Sequence, residues 1–127
     1  MSTKYQLYRR FFQAIANQTR FSILELLRDG PRSVGEIVDE LAFEQSRVSH
    51  SLGCLLNCGL LLVEPDGKNR IYRLNPQLLS VLEGIDEHIV HYGQQLRECE
   101  KMAPEASVSV RAAAVSGSRQ NEMRNLS

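Results

Sequence analysis

Apolar residues recur at helical spacing along most of this chain, and the pattern changes to alternation over residues 60–74. That one switch limits the fold. A single short hairpin cannot supply a sheet-based core, so the chain reads as mainly α with a small β-hairpin. Leu60 to Glu64 is a short apolar run suited to a strand. Pro65-Asp66-Gly67-Lys68-Asn69 is turn chemistry, and Arg70 to Leu74 alternates charged and apolar side chains.

The helices around it carry their own punctuation. Residues 5–14 predict a helix with Tyr5, Tyr8, Phe11, Phe12 and Ile15 as its apolar stripe. Asn17 is placed to cap a second helix that runs to about Arg28, with Phe21, Ile23, Leu24, Leu26 and Leu27 inward. Asp29-Gly30-Pro31 stops it. Ser33 and Glu36 form a capping-box pattern for a short helix, and Ala42-Phe43 is a turn. A further helix spans about Glu44 to Cys58 and stops at Gly59. From Pro76 to about Met102, Leu78, Leu82, Ile85, Ile89, Tyr92, Leu96 and Cys99 follow a heptad-like seam. With no Trp and 8 aromatics in 127 residues, the core must be mainly Leu, Ile, Val and Ala.

Four helices, a hairpin and a last helix are the order of a winged helix-turn-helix. The expected organisation is a DNA-binding and dimerisation domain over residues 1–102. Residues 103–127, poor in large apolar side chains, are expected to be a disordered tail. Formal charge is zero, with 15 basic and 15 acidic residues, but their distribution is uneven. Lys4, Arg9, Arg10 and Arg20 stand in the first 20 residues without an acid, and Glu36, Asp39, Glu40 and Glu44 cluster in 33–44 without a base.

If Glu44 to Cys58 is the reading helix, Val48, Leu52, Leu55 and Leu56 fall on its buried stripe. Gln45, Ser46, Arg47, Ser49 and His50 are then left for the major groove, where Gln suits adenine and Arg suits guanine. Lys68, Asn69 and Arg70 on the hairpin suit phosphate or minor-groove contact. The acidic helix is expected to lie mostly away from the phosphates. A winged helix used for protein contacts is the competing reading.

Three cysteines are the remaining chemistry. Cys54 and Cys58, four apart, share one helix face, and Cys99 follows 41 residues later. Three cysteines in a reducing compartment suit free thiols or metal ligands better than a disulfide framework, and a three-sulfur site takes soft ions. Arg47, Ser51, Cys54 and Cys58 form one stripe beside the buried one, so a metal there would grip the reading helix itself. Thiol oxidation is a second use of the same residues, although an i, i+4 disulfide is geometrically poor within a helix. Phosphate-binding glycine loops, nucleophile–base constellations and paired acids are absent from the sequence, so an enzyme is not expected. No apolar run approaches the ~20 residues of a membrane span, and a cytoplasmic protein is expected.

Ala16-Asn17-Gln18-Thr19-Arg20, Ser46-Arg47-Val48-Ser49-His50-Ser51-Leu52 and Gly67-Lys68-Asn69-Arg70-Ile71-Tyr72-Arg73-Leu74 resemble the ArsR/SmtB family over about residues 5–102. The resemblance implies a homodimeric repressor that leaves double-stranded operator DNA when a metal or another inducer binds. Leu52-Gly53-Cys54-Leu55-Leu56-Asn57-Cys58-Gly59-Leu60, with a third cysteine downstream, is similar to the cadmium- and lead-sensing branch. That implies Cys54, Cys58 and Cys99 as ligands for Cd(II) or Pb(II), with Zn(II) or arsenite as further effectors. The Cys-x-Cys motif that other members carry before the turn is absent from residues 33–41. Asp86 and His88 resemble the first half of a zinc-type site in the family. The later positions of that pattern are Cys99 and Met102 here, a departure that leaves Asp86 and His88 as an alternative site.

Overall fold

A computed structural model describes residues 2–99 as two compact units, one reaching Leu79 and one beginning at Ser80. The tail expected over 103–127 lies outside the described residues. Elements follow as α1 (Thr3–Ile15), α2 (Gln18–Leu27), β1 (Arg32–Ser33), α3 (Val34–Leu41), α4 (Gln45–Asn57), β2 (Leu61–Asp66), β3 (Asn69–Leu74) and α5 (Pro76–Arg97).

Each boundary has a local cause. The Asn17 side chain accepts the Arg20 N–H at 3.0 Å and starts α2. Arg20 then reaches back, donating from Nε to the Ala14 carbonyl at 2.8 Å and from Nη2 to that of Gln13 at 2.9 Å. These are carbonyls that the end of α1 would otherwise leave unpaired, so one side chain joins both helices. Ser33 and Glu36 form the expected capping box on α3. Ala42, at φ 57°, makes the left-handed step between α3 and α4.

The Glu36 carboxyl lies below its ordinary value of 4.5 because the Ser33 backbone N–H, and then the Ser33 hydroxyl, bond to it. A carboxyl lowered in the folded state contributes stability above 4.5 and loses it as pH falls through the folded value. Glu36→Gln is therefore expected to flatten the acid limb of urea-unfolding stability between about pH 6 and pH 3. Ser33→Ala is expected to cost about 1 kcal/mol at neutral pH. An unchanged acid limb in Glu36→Gln would remove the cap from the account.

The core of the first unit gathers Ile23, Leu24 and Leu27 of α2, Ile37 of α3, and Val48, Leu52 and Leu55 of α4. Leu61, Tyr72 and Leu74 add the inner face of the sheet. Two expectations for α4 change. Glu44 and Cys58 are its caps rather than helical residues, and Leu56 is half-buried while Ser51, placed on the cysteine stripe, is buried.

The wing is a three-stranded antiparallel sheet in the order β1-β3-β2, not a lone hairpin. β1 adds Arg32 opposite Tyr72 and Ser33 opposite Ile71. The turn is tighter than its sequence suggests: Asp66 pairs with Asn69, Pro65 pairs with Arg70, and Gly67 and Lys68 alone connect them. Gly67 takes φ 62°, as such two-residue turns require. Pro65 is tolerated because β2 is an edge strand.

The first and last helices keep apolar side chains outside. Tyr5, Leu7, Tyr8 and Phe12 on α1 are exposed, as are Val81, Ile89, Tyr92 and Leu96 on α5. The last helix ends at Arg97, short of the expected Met102, and residues 100–102 lie outside the described set. Among the described residues no helix is long and apolar enough to cross a membrane.

Candidate nucleic-acid interface and thiol site

Helix α4 sorts its side chains as its period dictates. Val48, Leu52 and Leu55 are sealed against the core, and Gln45, Ser46, Arg47, Ser49 and His50 are all exposed. Arg47 is nevertheless held. Its Nε donates to Thr19 Oγ1 of α2 at 2.8 Å, and its guanidinium lies 4.2 Å from the Phe43 ring centroid. One nitrogen and one face are used by the protein, while the fork carries further donors. Thr19 and Phe43 thus position a residue of the interface, a role that sequence reading missed. The one available signal was Thr19 inside the Asn17-Gln18-Thr19-Arg20 run, where Asn17 had already explained the pattern.

Gln45, Lys68, Asn69 and Arg70 line one cleft of about 450 Å³, together with Ser33, Val34, Gly35, Val38 and Asp39. The structure therefore brings the start of α4 and the wing tip to one place. It also brings in an acid. Asp39 shares the cleft. Glu40 is engaged by Arg32 Nε at 2.7 Å, and Glu36 is in the capping box, so both acids have partners within the fold. That Glu40 contact also raises the Arg32 pKa above its ordinary value.

The thiols are free. Cys54 is half-buried on the last turns of α4, and Cys58, its C-cap, is exposed. The Cys58 N–H donates to the Cys54 carbonyl at 3.1 Å, so one helical turn links the two residues. His50 Nε2 stands 3.7 Å from Cys54 Sγ. In the second unit Cys99 is exposed, Asp86 is half-buried, and His88 packs on Tyr92 with ring centroids 4.8 Å apart. Among the described residues of one chain, no group of three or more His, Cys, Asp or Glu side chains is gathered closely enough to hold a metal.

A tight turn between α3 and α4, a polar outer face on α4 and a basic β2–β3 tip define a winged helix-turn-helix domain. Residues 17–62 match the model of the bacterial regulatory protein family arsR. The chain is 39% identical over 82 residues to the HTH-type transcriptional regulator Rv2034 of Mycobacterium tuberculosis, covering 65% of this chain and 76% of that one. It belongs to the arsR family, whose members are transcriptional regulators rather than enzymes.

Two further likenesses bear on the site. A probable mercury resistance operon repressor of Streptomyces lividans is 40% identical over 63 residues, and the match spans half the length of each chain. The solution structure of a homodimeric winged helix-turn-helix DNA-binding domain from Mycobacterium bovis, a possible ArsR-family transcriptional regulator, superposes with a TM-score of 0.59. It is 27% identical and covers 72% of this chain and 93% of that one.

Proposed function

We propose that this chain is a cytoplasmic, homodimeric transcriptional repressor that binds operator DNA and releases it when a soft metal ion occupies Cys54, Cys58 and Cys99. The carrying observation is the placement of Cys54 and Cys58 one turn apart on the helix whose other end exposes Gln45, Ser46, Arg47, Ser49 and His50. Lys68, Asn69 and Arg70 add the wing contacts. The exposed apolar residues of α1 and α5 support the dimer, as does the homodimeric relative.

The donor set fits the ion. Reduced thiols are soft ligands, and three of them suit Cd(II) or Pb(II) better than Zn(II), which prefers a fourth ligand. The mercury repressor among the relatives is named for a metal of the same soft class. Bound metal would fix the C-terminal half of α4 and so change how its N-terminal half meets the groove. A coupling of about 1–3 kcal/mol suffices, equivalent to roughly 5–150-fold in DNA affinity.

The test is fluorescence anisotropy on a duplex selected from a random pool by the protein itself. Cd(II) and Pb(II) are expected to weaken binding about tenfold or more, with Zn(II) and arsenite acting less. Cys54→Ser, Cys58→Ser and Cys99→Ser should each remove the response. Release that survives in all three variants refutes the three-thiol site, and release by Zn(II) that depends on Asp86 and His88 moves the sensor to α5. A protein without salt-dependent, sequence-preferring binding would be a protein-contact module instead.

A further inference from the structure

We propose that His50 is a metal ligand paired with Cys54, so that one imidazole serves either the metal or the DNA. The inference rests on the metal-sensing reading above and names a ligand outside its three thiols.

The geometry is specific. With zinc bond lengths, about 2.3 Å to sulfur and about 2.1 Å to nitrogen, a tetrahedral angle places the two donors roughly 3.6 Å apart, and a larger soft ion needs slightly more. Cys54 Sγ and His50 Nε2 are 3.7 Å apart. The donors therefore already sit close to a shared-ion separation. They lie at i and i+4 of α4, so the helix backbone fixes the pair, and no other element has to move to make it.

Access is open. His50 is exposed and Cys54 half-buried. The intervening turn carries Gly53, where an added Cβ would meet nothing within 4 Å. Ligation is chemically simple: the thiol gives up its proton to solvent, and the imidazole offers its Nε2 lone pair while Nδ1 keeps the ring proton. The two bonds occupy part of a coordination sphere, and further thiolates complete it.

The consequence is direct competition. His50 stands on the exposed half of α4 that faces the groove in the DNA-binding reading. An imidazole held by metal cannot also bond to a base or phosphate through Nε2. Metal would then lower DNA affinity at the reading residue itself, and DNA would lower metal affinity by the same factor.

The experiment uses the full-length reduced protein and Cd(II) alone. Ring-nitrogen NMR follows His50, His88 and His91 while thiolate-to-metal absorption follows the cysteines. The His50 Nε2 resonance is expected to move to a metal-bound position as the absorption grows. His50→Asn is expected to weaken Cd(II) binding by about tenfold or more. An unmoved Nε2 beside a fully developed thiolate band overturns the proposal and leaves the three-thiol site standing. Absence of the band in the wild-type protein overturns both. Should His50→Asn unfold, the wild-type resonance decides.

Discussion

Phe12→Asp is expected to turn the proposed dimer into monomers and to abolish operator binding at concentrations where the wild-type protein is saturated. Phe12 is 51% exposed on α1, beside Tyr5 and Tyr8, so the folded chain leaves this aromatic side uncovered. Burying the exposed half of a Phe against a partner contributes about 1 kcal/mol, and two-fold symmetry counts it twice. A carboxylate at the same position adds an unpaired charge to the interface. The lost burial of about 2 kcal/mol alone corresponds to about 30-fold in the dimer dissociation constant, and the charge enlarges it. A monomer then engages one half-site at a time, and the affinity gained by joining two sites disappears. Sedimentation velocity and anisotropy on one preparation check both halves. A dimer of undiminished strength in Phe12→Asp would place the interface elsewhere.

The apolar stripe of α1 was legible in the sequence, but what covers it was not. Period alone marks a face as apolar; it cannot say whether the cover comes from the same chain or another. Caps were legible for a better reason. Asn17, and Ser33 with Glu36, act within three residues, so the whole interaction lies in one window of sequence. β1 was not, because two residues have no period to detect and its partner Tyr72 is 40 positions away in the chain. Pro65 was read as turn chemistry, since nothing local tells an edge strand from a loop.

The site divides the same way. That Gln45, Arg47 and His50 are exposed follows from helical period. That Asp39 shares a cleft with Lys68 and Arg70 depends on how α3 meets the wing. The i, i+4 relation of His50 and Cys54 was available from spacing alone. The 3.7 Å approach was not, because it depends on side-chain rotamers that sequence does not specify.

Arg47→Ala is expected to weaken operator binding by about 1–3 kcal/mol per half-site, hence roughly 2–6 kcal/mol for the dimer. If Arg47 meets phosphate, the slope of log affinity against log salt should fall by about 2. If it meets a base, the loss should concentrate at one symmetric position of the operator. The contact to Thr19, 28 residues earlier, gives this prediction a second arm. Thr19→Val keeps the buried volume and removes the hydroxyl that Arg47 Nε uses. The guanidinium remains over Phe43 but loses the bond that sets its direction. Thr19→Val should therefore weaken DNA binding less than Arg47→Ala does, and should add nothing in an Arg47→Ala background. That non-additivity is the signature of a positioning residue acting through another. Full additivity would instead mean that Thr19 supports the first turn of α2 independently of the arginine. Urea unfolding of each single variant keeps the comparison on folded protein. Arg47→Lys completes the series: it retains the charge but not the planar fork, so it should recover salt-dependent binding without recovering the lost selectivity.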